Sequence, residues 1–345
     1  MKKILLIVIV ITLAIPNIAI SQGCMESSSD DGVTVSGYIQ PQYEFHQKDG
    51  LYNDESSFTF ERARFGFFGN IPYDISYYAF IETSAFKKAN PYLLDAFVTY
   101  TRFGPWAKIS LGQFKSPFSL ELNTACHGLH TVKRSQVVRD LATPDRDIGL
   151  MISGGNDTTF FKYAFAITNG TGLGNADNNT RKDFSGRLVL QPFEFLSIGG
   201  SFRTGKSKSA VQGQPEDTKT RYAAELQVKF ENILFQGEYL MGEDDGSYTT
   251  GGGCGDPLVT HIGSVSRNGY WAHLMYMTPW NLQPIVKFES YEPNTALGLD
   301  QKSIITFGIN YFLNDWTRIQ INYLYSAEEV EIENDQLFVQ VQVKF

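Results

Sequence analysis

The chain has 345 residues, of which 42% are hydrophobic, 14% aromatic and only 19% charged. This composition excludes a disordered chain and a coiled coil, because both need more charged and fewer aromatic residues. The mean hydropathy of −0.20 excludes a bundle of transmembrane helices, and the net charge of −8 argues against a nucleic-acid partner.

The first 21 residues predict a cleaved secretory signal. Two lysines precede an apolar stretch over residues 4–20, which Pro16 interrupts, and small residues precede the expected cut after Ser21. The exported chain then begins with a polar leader over residues 22–32. An uncleaved anchor is one alternative. Lipidation of Cys24 is another, although the residues before it lack the apolar head of a lipobox.

From residue 33 onward, apolar and polar residues alternate in sixteen blocks. In the last block, Val339, Val341 and Val343 share one face while Gln340 and Gln342 share the other. Side chains of a strand alternate between its faces, so each block predicts a strand with one apolar and one polar face. The blocks are 33–45, 58–69, 73–86, 92–103, 106–115, 147–155, 160–168, 183–192, 195–205, 220–230, 233–242, 268–278, 282–292, 302–312, 316–327 and 337–345.

The connections between these blocks alternate between tight turns and mostly long polar loops. The turns are 70–72, 104–105, 156–159, 194, 231–232, 279–281 and 313–315; the long loops include 46–57, 116–146, 169–182, 206–219, 243–267, 293–301 and 328–336. Tight turns at one rim and long loops at the other are typical of an antiparallel outer-membrane β-barrel. The sequence therefore predicts an all-β, 16-stranded transmembrane β-barrel over residues 33–345, with both termini at the periplasmic rim.

The positions of the four tryptophans also agree with a membrane barrel. Trp106, Trp280 and Trp316 lie at short-turn ends and Trp271 lies near a long-loop end, which predicts two aromatic girdles in contact with outer-membrane lipid. A soluble β-sandwich is the alternative, but its polar faces should be rich in Lys and Glu rather than Gln, Asn, Ser and Gly.

Four segments carry a more specific pattern: residues 36–43 (SGYIQPQY), 60–66 (FERARFG), 111–121 (LGQFKSPFSLE) and 144–149 (PDRDIG). Together they resemble the phosphate-selective porin family, porins O and P, most strongly over residues 36–150. The resemblance implies a sixteen-stranded barrel in the bacterial outer membrane, usually a homotrimer, that conducts anions past basic side chains on an inward-folded third loop. The terminal Phe345 resembles the signal that hands such barrels to the barrel assembly machinery.

The third loop, residues 116–146, is the candidate constriction, because a loop of that length without its own secondary structure is usually functional. An extracellular flap is the alternative. Where the best-known members of the family have two lysines, this chain has Leu122 and, near the second, His127. The residues expected to form the anion path are Arg62, Arg64, Lys115, Lys133, Arg134, Arg139 and Arg146.

Alternation also predicts which charges face the lumen. Eleven basic residues share the polar faces with six acidic ones, which predicts a positive bore and a modest, salt-screened preference for anions. The alternative is that many of these charges pair across the lumen. The basic residues are Arg62, Arg64, Lys108, Lys162, Arg187, Arg203, Arg221, Lys229, Lys287, Arg318 and Lys344, and the acidic ones are Glu44, Glu82, Asp95, Glu225, Glu238 and Glu289.

These patterns predict a passive, cofactor-free porin for small hydrophilic solutes, with a preference for anions such as phosphate. The preferred anion stays open, and a general non-selective porin, a barrel enzyme and an adhesin are the alternatives. No Ser-His-acid arrangement stands out among the five histidines. Cys126, His127 and His130 fall short of a full metal ligand set. A disulfide between Cys126 and Cys254 also stays open.

Overall fold

A computed structural model describes residues 32–48, 54–84, 90–209, 211–250, 259–298, 300–328 and 333–345, with the backbone alone at 248–250 and 328. Residues 1–31, with the predicted signal, nearly all of the leader and Cys24, lie outside these ranges, as does Cys254. The described residues form one closed barrel of sixteen strands. The strands are β1 (Thr34–His46), β2 (Glu55–Ile71), β3 (Ile75–Glu82), β4 (Tyr92–Tyr100), β5 (Lys108–Lys115), β6 (Arg146–Gly154), β7 (Phe161–Thr168), β8 (Asp183–Phe193), β9 (Leu196–Ser207), β10 (Asp217–Phe230), β11 (Ile233–Thr250), β12 (Val259–Tyr276), β13 (Leu282–Glu292), β14 (Lys302–Phe312), β15 (Thr317–Glu328) and β16 (Gln336–Lys344).

Each strand pairs antiparallel with its neighbours in sequence, and β1 closes the cylinder against β16. Tyr38 lies opposite Lys344 at this seam, and Gln42 lies opposite Gln340. Closure leaves no unpaired sheet edge, which a chain surrounded by lipid requires. The predicted 16-stranded antiparallel barrel is confirmed.

The two faces of the wall differ as the alternation predicts. Ile39, Phe65 and Phe67 point outward and are exposed, whereas Gln40 and Gln340 point inward and are buried. Trp106, Trp280 and Trp316 are exposed at the short-turn rim. The prediction for Trp271 is wrong: its side chain is only 1% exposed and faces the interior.

The hairpin of β11 and β12 is longer than the alternation predicts. The sequence predicts a loop at residues 243–267, but pairing continues from Glu243 opposite Ser266 to Thr250 opposite Val259. Each of these strands has 18 residues, more than a bilayer needs. Backbone pairing does not require apolar side chains, so the acidic stretch Glu243–Asp245 extends the strand instead of ending it.

The segment between β5 and β6 contains two short helices, α1 (Leu120–Asn123) and α2 (Gln136–Leu141), with a 3-10 helix (Cys126–Gly128) between them. No helix in the described ranges is long and apolar enough to cross a membrane. The predicted third loop, residues 116–146, ends one residue earlier in the structure because Arg146 begins β6, so the third loop is residues 116–145 from here on. Its side chains contact inward-facing residues of distant strands, so it lies inside the barrel.

Candidate functional site

The third loop is anchored to the wall by an apolar cluster inside the barrel. Its side chains pack against inward residues of β10 to β13, where Trp271 and Leu240 are 1% and 0% exposed. The cluster comprises Phe118, Leu122, Val137, Val138, Leu141 and Ala142 of the loop with Ala223, Leu240, Trp271 and Tyr291 of the wall, and Leu120 packs at its border. Apolar burial therefore fixes the loop against one side of the bore.

A single buried carboxylate fixes the start of the loop. Glu238 of β11 accepts hydrogen bonds from Ser119 Oγ at 2.9 Å, Leu120 N at 2.9 Å and Glu121 N at 3.4 Å. Trp271 Nε1 donates to the same carboxylate at 3.2 Å. These bonds satisfy amide groups that begin α1 and would otherwise be unpaired.

The middle of the loop is held by amide side chains of the opposite wall. Asn322 of β15 accepts from Val132 N at 2.7 Å, and Asn310 of β14 donates to the carbonyl of His130 at 2.9 Å. Gln342 of β16 donates to the carbonyl of His127 at 3.2 Å. The loop thus crosses the lumen from β5 and reaches β10 to β16, leaving the space beside β1 to β7.

That space contains a cavity of about 590 Å³. Its charged lining consists of Arg64, Lys115, Arg146 and Lys344, with Asp95 as the acidic member. Asp95 forms an ion pair with Arg146, whose Nε and Nη2 donate hydrogen bonds to its carboxylate at 3.0 and 3.2 Å. The cavity wall is therefore positively charged although the chain as a whole is acidic.

The predicted path residues on the strands fall into two settings. Arg64, Lys115 and Arg146 line the cavity, whereas buried Arg62 lies near it and donates to Gln40 Oε1 at 2.9 Å. Arg64 also donates to Glu82 at 2.7 Å. Lys115 Nζ donates to the carbonyl of Thr124 at 3.4 Å, and within the described ranges it forms no ion pair.

The loop residues of the predicted path are more dispersed. Lys133 forms an ion pair with Glu61 at 2.5 Å, and Arg134 donates to the carbonyls of Glu121, Leu122 and Thr124. Arg139 lies in α2 and is exposed. None of these three residues lines the 590 Å³ cavity. Lys133 and Arg134 are engaged in holding the loop.

Cys126 lies at the centre of the basic residues. Arg64 Nη1 is 3.0 Å from its Sγ and Arg134 Nη2 is 3.4 Å from it. Burial raises the pKa of the Cys126 thiol, but the charges of Arg62, Arg134 and Arg64 outweigh burial and hold this pKa well below its ordinary value. The Cys126 sulfur is thus surrounded by cationic side chains of the lumen.

Several inward charges are paired, but with acids of nearby strands or of the third loop and not across the lumen. Arg187 pairs with Glu225 at 2.6 Å and Arg221 with Asp244 at 2.5 Å. Lys287 pairs with Glu121 of the loop at 2.7 Å. These pairs make the far side of the bore close to neutral and leave the cavity wall as its basic part.

The alternation of the sequence does not predict that Glu61 faces the lumen. A bulge at this residue shifts the register between β1 and β2, so that Gln40 lies opposite Arg62 while the next residue, Pro41, lies opposite Phe60. Glu61 and Arg62 are consequently both buried on the inner face. A bulge inserts one extra residue into a strand and reverses the facing of the residues beyond it, which a strict period of two cannot show.

Two histidines meet behind the loop. The rings of His130 and His273 are 5.5 Å apart, and the Nδ1 atom of each is buried without a hydrogen-bond partner among the described residues. The described residues contain no group of three or more His, Cys, Asp or Glu side chains placed to bind a metal ion.

Comparisons with known proteins agree with this geometry. The profile of the family described as phosphate-selective porin O and P matches residues 33–249. Comparison with curated proteins gave no match.

Among solved structures, the anion-selective porin from Comamonas acidovorans is similar with a TM-score of 0.66 and 14% identity over 91% of this chain and 99% of that chain. OmpF of Salmonella typhi, in complex with daunomycin, has a TM-score of 0.69 and 11% identity over 91% and 98%. The trimer form of OmpT, an outer membrane protein of Vibrio cholerae, has a TM-score of 0.61 and 12% identity over 92% and 100%. At these identities the similarity concerns the fold.

Proposed function

The chain belongs to the phosphate-selective porin O and P family and is an outer-membrane porin; we propose that its pore passes small hydrophilic solutes with a preference for anions. The observation that carries this proposal is the cavity beside the third loop, whose lining has four basic side chains and one acidic one. In a water-filled bore, fixed positive charge raises the local concentration of anions and lowers that of cations.

The third loop is proposed to be the constriction. A sixteen-stranded wall encloses a bore that side chains alone do not fill, so conduction depends on what narrows it. The loop covers the side of β10 to β16, and solutes are left with the side of Arg64, Lys115 and Arg146. We propose that the other predicted path residues act indirectly, because their charges add to the electrostatic potential of the pore and their contacts set the position of the loop. These residues are Arg62, Lys133, Arg134 and Arg139.

Lys115 is the residue to change first. Its ammonium borders the cavity without an ion pair in the described ranges, so its charge is available to a permeant anion. At about 6 Å through water, one charge contributes about 0.7 kcal/mol, which is about threefold in the local concentration of a monovalent anion before salt screening. We expect Lys115→Gln to lower the anion-to-cation permeability ratio by up to about tenfold, because the local anion concentration falls about threefold while the local cation concentration rises about threefold.

The measurement is the reversal potential of single channels in a planar bilayer under a potassium chloride gradient. Arg102→Gln is the matched control, because it removes one positive charge from an exposed turn where Arg102 pairs with Asp74. A wild-type reversal potential of zero, or one whose sign indicates cation selectivity, would refute the anion preference. An unchanged potential in Lys115→Gln would remove Lys115 from the path.

We also propose that the working form is a homotrimer and that the porin performs no catalysis. Support for the trimer comes from the family resemblance and from a solved neighbour described as a trimer form. Insertion of one trimer should give three equal conductance levels, whereas a monomer gives one. A closed adhesin barrel would show no steps at all, and an enzyme would hydrolyse lipid or peptide.

A further inference from the structure

The cavity beside the third loop has an aromatic wall that the anion preference alone does not explain. Phe68 of β2, Tyr78 of β3 and Phe97 of β4 are direct cross-strand neighbours, since Phe68 lies opposite Tyr78 and Tyr78 lies opposite Phe97. All three line the cavity together with Phe80 and Phe114. In most of the bore, the corresponding inward positions are polar.

The rings form one continuous surface. Tyr78 stacks on Phe80 with a centroid distance of 4.8 Å and on Phe97 with a centroid distance of 5.2 Å. Phe68 lies 6.2 Å from Tyr78 at an interplanar angle of 26°, and Phe114 meets Phe97 edge-on at 6.5 Å. We call Phe68, Tyr78, Phe80, Phe97 and Phe114 the aromatic wall.

Packing accounts for only part of this wall. Phe80 lies against Gly66, where a Cβ atom would approach its ring atom Cδ2 to 2.5 Å. This ring covers a stretch of strand that has no side chain of its own. Phe68, by contrast, is 37% exposed although it faces the lumen. A large apolar side chain kept in contact with the water of a pore loses the free energy that burial would give it.

The wall lies on the route of a permeant. Phe68, Tyr78 and Phe97 border the 590 Å³ cavity and also a second space of about 360 Å³, which reaches Gly32 and Asn70 at the short-turn rim. A solute that leaves the basic cavity toward the periplasm therefore passes these rings.

Basic groups share the cavity with the rings. Lys115, Arg64 and Arg146 line the same space, and the guanidinium of Arg64 lies 6.0 Å from the ring centroid of Tyr38. An aromatic surface and cations within one cavity are complementary to a molecule that has a flat ring and an anionic group. A cavity of 590 Å³ is large enough for such a molecule.

From this juxtaposition we propose that the aromatic wall is a binding surface for ring-bearing organic anions, of which aromatic carboxylates are the simplest, and that the porin passes them in preference to aliphatic anions of equal charge. This inference rests on the proposed anion preference and adds the chemical class of the substrate. The carboxylate is bound by the basic side chains of the cavity while the ring stacks on the aromatic wall.

The test is the block of chloride current by benzoate in single-channel recordings, with acetate and cyclohexanecarboxylate as reference anions. Wild-type protein should be half-blocked by benzoate at a concentration about tenfold lower than by either reference, which is the range expected for ring stacking. Phe68→Leu and Tyr78→Leu keep an apolar side chain without a ring and should remove this difference.

Phe65→Leu is the matched control, because Phe65 lies on the same strand but is 46% exposed on the outer face of the barrel. Phe65→Leu channels should be blocked by the three anions at the same concentrations as wild-type channels. Equal block by the three anions in wild type, or equal behaviour of Phe68→Leu, Tyr78→Leu and Phe65→Leu, would overturn the inference. The reversal potential in potassium chloride separates the two proposals: an anion-selective channel without preference for benzoate disproves the aromatic wall alone.

Discussion

His130 connects the protonation of one side chain to the position of the third loop. Its ring faces His273 at 5.5 Å, and its backbone carbonyl accepts from Asn310. Burial, and to a lesser extent the charge of Arg318, lower the pKa of His130 to about 4, while Glu121 has a weak opposite effect. The imidazole is therefore neutral at pH 7 when the loop is docked.

This shift predicts a pH-dependent loop. An undocked His130 has the ordinary pKa of about 6.5, so it takes up a proton at a higher pH than the docked one. Docking is then most stable above about pH 6.5, weakens as the pH falls, and has lost about 3 kcal/mol at about pH 4. Wild-type channels should show larger and noisier conductance at pH 4.5 than at pH 7, and His130→Gln should be much less sensitive to pH.

The matched control is His261→Gln, which removes a histidine from the distal part of β12 near its paired residue Tyr248. It should respond to pH like the wild type. A wild-type conductance that is the same at both pH values, or a His130→Gln variant that responds fully, would contradict the prediction.

Single residues also show what the sequence can and cannot reveal. The inward position of Arg62 and Arg64 follows from alternation, and the structure has both of them there. The place of Trp271 in the chain predicts a girdle, although its parity with His273 puts it on the inner face. Alternation therefore predicts the face on which Trp271 lies. It does not predict that the third loop buries Trp271, because the loop is far from this residue along the chain and no local pattern shows such a contact.

The third loop, as an element, depends on Glu238 for its entry into the lumen. The carboxylate accepts four hydrogen bonds, three from the loop and one from Trp271. A hydrogen bond contributes about 1 kcal/mol, and a buried amide left without its acceptor costs about 1–3 kcal/mol. Removal of the three loop bonds should weaken docking by several kcal/mol.

Replacement of Glu238 by Leu is therefore expected to open the pore. Leu has a similar volume but accepts no hydrogen bond, so the amides of Leu120 and Glu121 lose their partner and turn to water. Single-channel conductance should rise because the loop no longer narrows the bore. Anion selectivity should fall because a wider bore lets ions pass farther from the basic residues of the wall, Arg64, Lys115 and Arg146. Glu243→Leu serves as the comparison, since Glu243 is exposed on the same strand; the idea fails if both variants conduct like the wild type.

The strands are predictable from the sequence because their cause is local. Predicted and observed bounds agree closely for β13, at residues 282–292, and for β14, at residues 302–312. The longer β11 and β12 differ because pairing across a hairpin, rather than side-chain polarity, decides where an extended strand ends. The fold of the third loop depends on contacts with strands from all over the wall, so a period-two pattern does not predict its two helices.

The barrel as a whole depends on one seam where its first and last strands meet. Inside, Gln40 donates to Gln342 at 2.7 Å and Gln340 donates to Gln42 at 2.9 Å. At the rim, Gly37 and Phe345 exchange backbone hydrogen bonds of 2.9 and 3.0 Å. Every other strand pair joins neighbours in sequence, so this seam alone requires the two ends of the barrel to find each other.

Gly37 is the tightest point of that seam. A Cβ atom at this position would lie 2.6 Å from Cζ of Phe345 and 2.7 Å from the carbonyl oxygen of Arg64. The phenyl ring can turn away, but the carbonyl belongs to the pairing of β1 with β2 and cannot move without disturbing it. Overpacking of this kind costs about 1–3 kcal/mol, and here it acts on the pairing that closes the cylinder.

We therefore expect Gly37→Ala to lower the yield of closed barrel and to shift urea unfolding in detergent micelles to lower concentrations. The folded fraction can be read from the faster migration of unheated samples on denaturing gels. Gly298→Ala is the control, since nothing lies within 4 Å of the added methyl group. Adding Phe345→Leu to Gly37→Ala separates the two contacts. If the phenyl ring is the obstacle, the double variant should regain the wild-type yield of closed barrel. If the Arg64 carbonyl is the obstacle, the yield stays low in the double variant. A Gly37→Ala variant as stable as Gly298→Ala would show that the seam accommodates the methyl group.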